Sequence, residues 1–459
     1  MMNRTQSNND PSKVGLGEMV GYGFSNTAVN LVWTSIGGFL TYFYTDVFGL
    51  SLAAMSMILL FSRVWDMVAD FLMGILADRT KTRWGKFRPW LLWGCVPFAV
   101  ITFLTFSVPA LGITGKVIYA FVTYILLMSI YTICAVPQNA IQGVMSDDPD
   151  VRTKITSVGG FFGQVGGFVA TACTLPLVKY FGHGNEALGF QWTVGLFGLI
   201  LVVLLLAAFF SVKERVQPPV GQHSSVLIDV KDLLGNRPWV LVFAVGVIAA
   251  LGAASRYGVA VHFYKYNMGD KDLTTLFRSI GVVAAMLGAL STPVAGRLLG
   301  KSRALGVCVL LVGVSSMLMH FASPQRIWIA YSSTIICEFF GGVVITMFFA
   351  MLGDTADFNE WKHGRRATGI IYAAGSIALK TGFAFGGLIM AGVLGYYGYQ
   401  ANVEQSARGL FGISMAANVV PGILYCLAAI PMFFYPLTTA KLEEIKLDLE
   451  RRRGVISAG

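Results

Sequence analysis

The hydrophobic positions of this chain form long unbroken runs, with none of the short alternating patterns of a half-buried strand. Twelve such stretches lie near residues 20–45, 51–76, 90–109, 116–143, 155–179, 189–212, 237–265, 274–297, 304–323, 327–352, 369–395 and 409–436. About 20 apolar residues in a helix cross the hydrocarbon of a bilayer. In that medium the backbone must satisfy its own hydrogen bonds, which a helix does within one segment. The longest polar interruption, residues 213–236 with Pro218-Pro219, divides the runs six and six. The pattern therefore predicts an all-α membrane protein with twelve transmembrane helices; together with the loop that recurs after span eight, described below, it fits two six-helix halves around a central cavity. Its parts are an N-tail (1–19), an N-terminal half (20–212), a central loop (213–236), a C-terminal half (237–436) and a C-tail (437–459). Val226–Leu234 predicts a short interfacial helix, and Ala440–Arg453 a surface helix read as a solvated tail. The first 17 residues are polar, so no cleavable leader is expected.

Composition agrees: 55% of the 459 residues are hydrophobic and 13% charged, which excludes an ordinary soluble globule. With the N-terminus placed in the cytoplasm, 24 of the 34 Lys and Arg fall in cytoplasmic segments, 6 in outer loops and 4 within spans. Basic residues concentrate on the cytoplasmic side of membrane proteins. Both termini are thus expected to be cytoplasmic, in a multi-pass membrane protein. The net charge of +10 is mostly this bias and implies no nucleic-acid partner. Cys95, Cys134, Cys173, Cys308, Cys337 and Cys426 all lie inside the apolar runs and read as packing residues. The five histidines are scattered, with no metal spacing and no nucleophile–base constellation, so an enzyme is not expected. No cofactor or resident metal is expected either, and the chain reads as monomeric, with membrane lipids around it.

Ionisable residues at membrane depth cost roughly 3 kcal/mol each on insertion scales and usually serve function. Arg63, Asp66 and Asp70 stand in the second run. The aspartates are one helical turn apart, so both carboxylates share a face, with Arg63 one turn before them. Such a pair suits a proton or a cation; the alternative is a structural Arg–Asp tie between helices. Between spans two and three lies Gly74-Ile-Leu-Ala-Asp78-Arg79-Thr-Lys-Thr-Arg83-Trp-Gly85-Lys86-Phe-Arg88. Its glycines permit tight turns at the membrane surface, and Asp78 is read as a cap of helix three or a partner of a neighbouring arginine. Gly296-Arg297-Leu-Leu-Gly300-Lys301-Ser-Arg303 is a degenerate second copy.

The first loop resembles the G-x-x-x-D-R…G-K/R loop of the major facilitator superfamily. Further strings are Tyr44-Thr45-Asp46-Val-Phe-Gly49, Arg63-x-x-Asp66-x-x-x-Asp70, Arg83-Trp-Gly-Lys-Phe-Arg-Pro89-Trp90, Asp354-Thr355-x-Asp357-Phe-x-Glu360 and Lys380-x-Gly-x-Ala-Phe. In order and spacing they resemble the glycoside–pentoside–hexuronide:cation symporters, over about residues 22–449. The resemblance implies a secondary transporter that imports a sugar or glycoside, including a hexuronide, with a cation by alternating access. The alternative within the same fold is symport of a lysolipid or other amphiphile.

The resemblance also implies a cation site of Asp66 and Asp70, assisted by Thr132 and with Lys380 nearby; Arg63 and Lys380 would tune the pair. Ala69 stands where sodium-using melibiose permeases carry an asparagine. Alanine offers sodium no side-chain oxygen, so the coupling ion is expected to be H+ in preference to Na+. The sugar site departs from the melibiose pattern: Asn30, Ala135, Asn139 and Gly160 replace two aspartates, a tryptophan and an arginine, and Ile345 replaces another tryptophan. In their place the chain offers Asn26, Asn30 and Trp33, Gln138 and Asn139, and Gln164. Amides donate and accept, as sugar hydroxyls require, and an indole can cover a pyranose face. The alternative reading of each is interhelical packing or hydrogen bonding. Arg256 in span seven is read as a partner for an anionic group such as a uronate, or alternatively for Glu338 of span ten.

Overall fold

The computed structural model describes residues 14–216, 226–270, 273–400 and 403–452. The N-terminal half holds α1 (Leu16–Tyr42), α2 (Leu52–Arg79), α3 (Arg88–Thr105), α4 (Ile113–Met145), α5 (Pro149–Gly182) and α6 (Glu186–Ser211). A short α7 (Val226–Leu234) precedes α8 (Arg237–His262), α9 (Leu273–Leu299), α10 (Lys301–Leu318), α11 (Ile327–His363) and α12 (Thr368–Tyr396). The last membrane element joins α13 (Ala407–Ser414) to α14 (Val420–Phe433) through a π-turn, and α15 (Thr439–Arg452) follows. Side-chain caps start several helices: the Ser51 hydroxyl accepts from the Ala54 amide, Asp148 from Asp150 and Val151, and Asn236 from Trp239.

Among the described residues, ten of these helical segments are long and apolar enough to cross a membrane. α1 and α2 are 27 and 28 residues long. α1 carries Asn26, Thr27 and Asn30 among its apolar residues, and α2 carries Arg63, Asp66 and Asp70. Both are integral to the bundle, α1 packing on α5 and α6, and α2 on α4 and α12.

The halves repeat one another. Helix pairs α1–α5, α2–α4 and α3–α6 are matched by α8–α12, α9–α11 and α10–α14. α1 and α8 both end in a π-turn, Phe43–Val47 and Phe263–Asn267, and each is followed by a positive-φ glycine, Gly49 or Gly269. The same two backbone bonds recur, Phe48 N to Phe43 O with Leu50 N to Tyr44 O, and Met268 N to Phe263 O with Asp270 N to Tyr264 O. The halves meet along α2–α12 and α5–α9, with α4 and α11 also crossing the seam. Parallel repeats with a site at their interface are a common transporter architecture.

Two polar segments differ from expectation. α11 runs to His363, so Asp354, Asp357 and Glu360 lie on a helix that projects past the apolar run. α15 is not a solvated tail: Leu442, Ile445 and Leu449 are buried, α15 packs on α11, and Lys446 pairs with Asp148 at 2.8 Å. A helix face with three buried apolar residues needs such a neighbour.

Candidate coupling site and substrate cavity

Asp66 and Asp70 project from α2 into the seam between α4 and α12. The Thr132 hydroxyl of α4 lies 3.2 Å from Asp66 Oδ1 and 3.0 Å from Asp70 Oδ1. Lys380 Nζ of α12 lies 2.8 Å from Asp66 Oδ2 and 2.7 Å from Asp70 Oδ2. One ammonium thus bridges two carboxylates that are 5% and 1% exposed. Among the described residues, the two carboxylates and one ammonium sum to a formal charge of −1. The cluster has room, electrostatically, for one added cation. Asp70 lies nine residues before the end of α2, about 14 Å along the axis at the helical rise per residue, so the cluster sits deep in the bundle. Ala69 is buried beside it. The side chain of Arg63 lies outside the described residues.

An aromatic step joins this cluster to α1. Lys380 Nζ stands 5.8 Å from the Tyr131 ring, and Tyr131 stacks on Trp33 at 4.8 Å and 29°. Tyr131 was not among the residues the sequence singled out. Its place one residue before Thr132 is the signal that marks it.

The amide residues line the α1–α4–α5 interface. Asn26 and Asn30 donate to carbonyls one turn back, Tyr22 O at 3.2 Å and Asn26 O at 3.0 Å. Gln138 is buried and donates to the Tyr22 hydroxyl at 3.4 Å. Asn139 and Gln164 are half-buried on α4 and α5. At Gly166 the backbone of α5 meets the Thr27 carbonyl of α1 so closely that no Cβ would fit, which seats the Asn26–Asn30 face against α5. Arg256 is placed elsewhere. It forms an ion pair with Glu338 of α11, whose carboxylate also accepts from the Tyr257 hydroxyl at 3.0 Å. The adjoining cavity is lined by C-terminal-half residues only.

The loop after α2 works across the seam. Asp78 Oδ2 accepts from the Ile370 amide at 3.0 Å, so it caps α12 of the opposite half and not helix three, and it pairs with Lys86 at 3.3 Å. The first turn of α3 is instead held by Glu214, which accepts from the Lys86, Phe87 and Arg88 amides at 2.8 Å each. Gly85 has φ +112°, and a Cβ there would overlap the Glu214 carboxylate. Gly74 brings α2 against Gly369 and Ala373 of α12. Arg79 closes α2.

At the face of the bundle that carries Val14 and Arg452, a buried ionic network ties the halves together. Arg152 of α5 pairs with Asp357 and, at 2.8 Å, with Asp354 of α11. Lys301 contacts Asp354 at 2.7 Å and donates to the Pro149 carbonyl at 3.0 Å. Arg366 pairs with Asp357 and Glu360 and donates to the Gly143 carbonyl at 2.9 Å. These ties join α4 and α5 to α10 and α11, and α15 adds Lys446–Asp148 to them. Arg152 and Arg366 were not recognised from sequence. Each reads there as one more basic residue near a helix end.

Among known families, a model described as MFS/sugar transport protein matches residues 21–439. An isoprimeverose transporter of Lactiplantibacillus pentosus is 34% identical over 442 residues, 95% of this chain and 91% of that one. A glucuronide carrier protein homolog of Escherichia coli K12 is 30% identical over 442 residues, 95% and 96% of the two chains. A solved structure of the transporter FucP superposes with TM-score 0.69 at 12% identity, over 92% of this chain and all of that one, which shows the shared fold. The chain belongs to the glycoside–pentoside–hexuronide:cation symporters of the major facilitator superfamily, multi-pass membrane transporters and not enzymes.

Proposed function

We propose that the chain imports a sugar or glycoside with one proton, coupled through Asp66, Asp70, Thr132 and Lys380. The observation that carries this reading is the bridging of both buried carboxylates by a single lysine. With the carrier empty, the two carboxylates and Lys380 sum to a formal charge of −1; a proton on either carboxylate brings that sum to zero and leaves Lys380 paired with the other. Neutralisation lowers the cost of closing a low-dielectric cavity around the site. Ala69 supplies no oxygen for sodium. The sugar lies against Trp33, with Asn26, Asn30, Gln138, Asn139 and Gln164 as its hydroxyl partners and the Trp33–Tyr131–Lys380 step as its link to the cation. Arg256 serves substrates with an acidic group.

Both termini are cytoplasmic, residues 1–19 and 437–459 forming the tails and 213–236 the loop between the halves. The ionic network then closes the cytoplasmic side, and the cavity faces outward in a bacterial inner membrane. Cation and sugar binding favour the rocking that breaks the network, and coupling is reciprocal: whatever the proton adds to sugar affinity, the sugar adds to proton affinity. The protein acts as a monomer. Uptake of neutral and acidic glycosides into proteoliposomes under an imposed proton gradient, sodium gradient or neither tests the reading. Proton-driven accumulation supports it; sodium dependence overturns the choice of ion, and indifference to both overturns the coupling.

A further inference from the structure

The N-terminal half carries on its tail face a basic patch that neither the coupling cluster nor the ionic network uses. Lys81 and Arg83 stand in the loop between α2 and α3, Arg88 opens α3, and Lys213 follows α6. An aromatic pair joins the two arginines: Trp84 of the loop meets Phe209 of α6 edge-on at 5.8 Å. The Arg83 guanidinium lies 4.6 Å over the Trp84 ring, and that of Arg88 lies 5.0 Å over Phe209. Arg88 Nε also donates to the Phe209 carbonyl at 3.2 Å, which fixes it to the end of α6. Lys213 precedes Glu214, whose carboxylate holds the Arg88 amide at 2.8 Å. The carboxylates nearby are all engaged: Glu214 by three amides, Asp78 by the Ile370 amide and Lys86, and Glu18 by Arg215. Among the described residues, Lys81, Arg83, Arg88 and Lys213 form no ion pair.

The internal repeat shows that the fold does not require this patch. The matching turn of the C-terminal half, Gly300-Lys301-Ser302-Arg303, has no aromatic residue, and its Lys301 is committed to Asp354 and the Pro149 carbonyl. A guanidinium stacked on an aromatic face keeps its edge N–H groups for a phosphate. The first amides of α3 are taken by Glu214, so side chains alone hold an anion here. Beside the patch, α6 turns an exposed apolar stripe outward, Leu199, Val203 and Phe210. Spacings of four and seven residues put the three on one helix face. Phosphate-binding side chains next to a hydrocarbon-facing stripe match the headgroup and tail of a phospholipid, and aromatic residues favour that depth. We propose that the patch is a site for one anionic phospholipid, its phosphate between Arg83 and Arg88, Lys213 alongside, and an acyl chain on the Phe210 stripe. A zwitterionic headgroup is disfavoured, because its ammonium meets only carboxylates that are already engaged. The site is independent of which sugar and which ion the protein carries.

The test is native mass spectrometry of the purified full-length protein, titrated in detergent with phosphatidylglycerol or phosphatidylcholine. Wild type should retain one phosphatidylglycerol in preference to phosphatidylcholine. A basic residue at the membrane surface strengthens binding of anionic lipid about fivefold. Arg83→Gln/Lys213→Gln should therefore weaken phosphatidylglycerol binding roughly twentyfold or more. Arg297→Gln/Arg303→Gln removes two charges from the same face of the other half and should leave the binding unchanged, which separates a site from general surface charge. All four side chains are exposed, so both variants should keep the wild-type Tm. Equal phosphatidylglycerol affinity in wild type and Arg83→Gln/Lys213→Gln overturns the proposal, as does equal weakening by Arg297→Gln/Arg303→Gln. Equal retention of phosphatidylcholine overturns the choice of an anionic headgroup. Displacement of the lipid by inorganic phosphate alone overturns the part given to the acyl chain.

Discussion

Removing Arg152 should open the tail face. Its guanidinium is 1% exposed and joins α5 to Asp354 and Asp357 of α11. Deleting one partner of a buried ion pair costs about 3–5 kcal/mol, because the other charge stays buried. Here Asp354 keeps Lys301 at 2.7 Å and Asp357 keeps Arg366 at 2.6 Å, which places the cost of Arg152→Ala near the lower end, about 3 kcal/mol. That cost falls only on the closed arrangement, since parting the halves rehydrates the carboxylates. The equilibrium between tail-closed and tail-open forms should therefore shift by roughly a hundredfold or more towards open, at 1.4 kcal/mol per tenfold. Spin labels at Lys81 and Arg303, exposed on this face in opposite halves, report the change by pulsed electron-spin distance measurement. The variant should gain a long-distance population that wild type lacks without substrate. An unchanged distance distribution in a folded variant would refute the role given to the network.

Other outcomes follow from the same geometry. Asp70→Asn leaves Lys380 and Asp66 as a neutral pair, so cation-driven accumulation should vanish while sugar exchange survives; counterflow compared with gradient-driven uptake separates the two. Gly166→Ala would drive a methyl into the Thr27 carbonyl and should destabilise the α1–α5 contact by about 1–3 kcal/mol, read as a lower Tm in detergent. Burial favours a higher pKa for Asp148, but the Lys446 ammonium and the Val151 and Asp150 amides outweigh it and hold the carboxyl below its ordinary value. A depressed pKa stabilises the docked α15 above the ordinary carboxylate pKa, and that contribution disappears as pH falls through the folded value. Hydrogen exchange of α15 should therefore rise on acidification below about pH 4, and Lys446→Ala should raise it at neutral pH; unchanged exchange in both would remove the latch.

What the sequence revealed was what local spacing encodes. Asp66 and Asp70 share a face because they are four residues apart, and the apolar runs fix the helices by length alone. Thr132 and Lys380 followed from resemblance, since nothing local brings α4 and α12 to α2. Contacts between distant segments were hidden: Arg152 meets Asp354 across 202 residues, and Asp78 meets the Ile370 amide across 292. A charge at a helix end predicts a cap, but not which helix it caps. The extension of α11 through Glu360 was missed for a related reason. Charged residues end an apolar run without ending a helix, and here each finds an ionic partner in the other half or in the following loop. Arg256 had two readings, and its pairing with Glu338 matches one of them.

The central claim is that one proton travels with one sugar through the Asp66–Asp70–Lys380 cluster. It is tested most directly in lightly buffered proteoliposomes that have no imposed gradient. Addition of sugar outside should alkalinise the medium by one proton per sugar in wild type, and Asp70→Asn should cause no alkalinisation. Sugar entry without proton movement in wild type, or with undiminished proton movement in Asp70→Asn, would contradict the account.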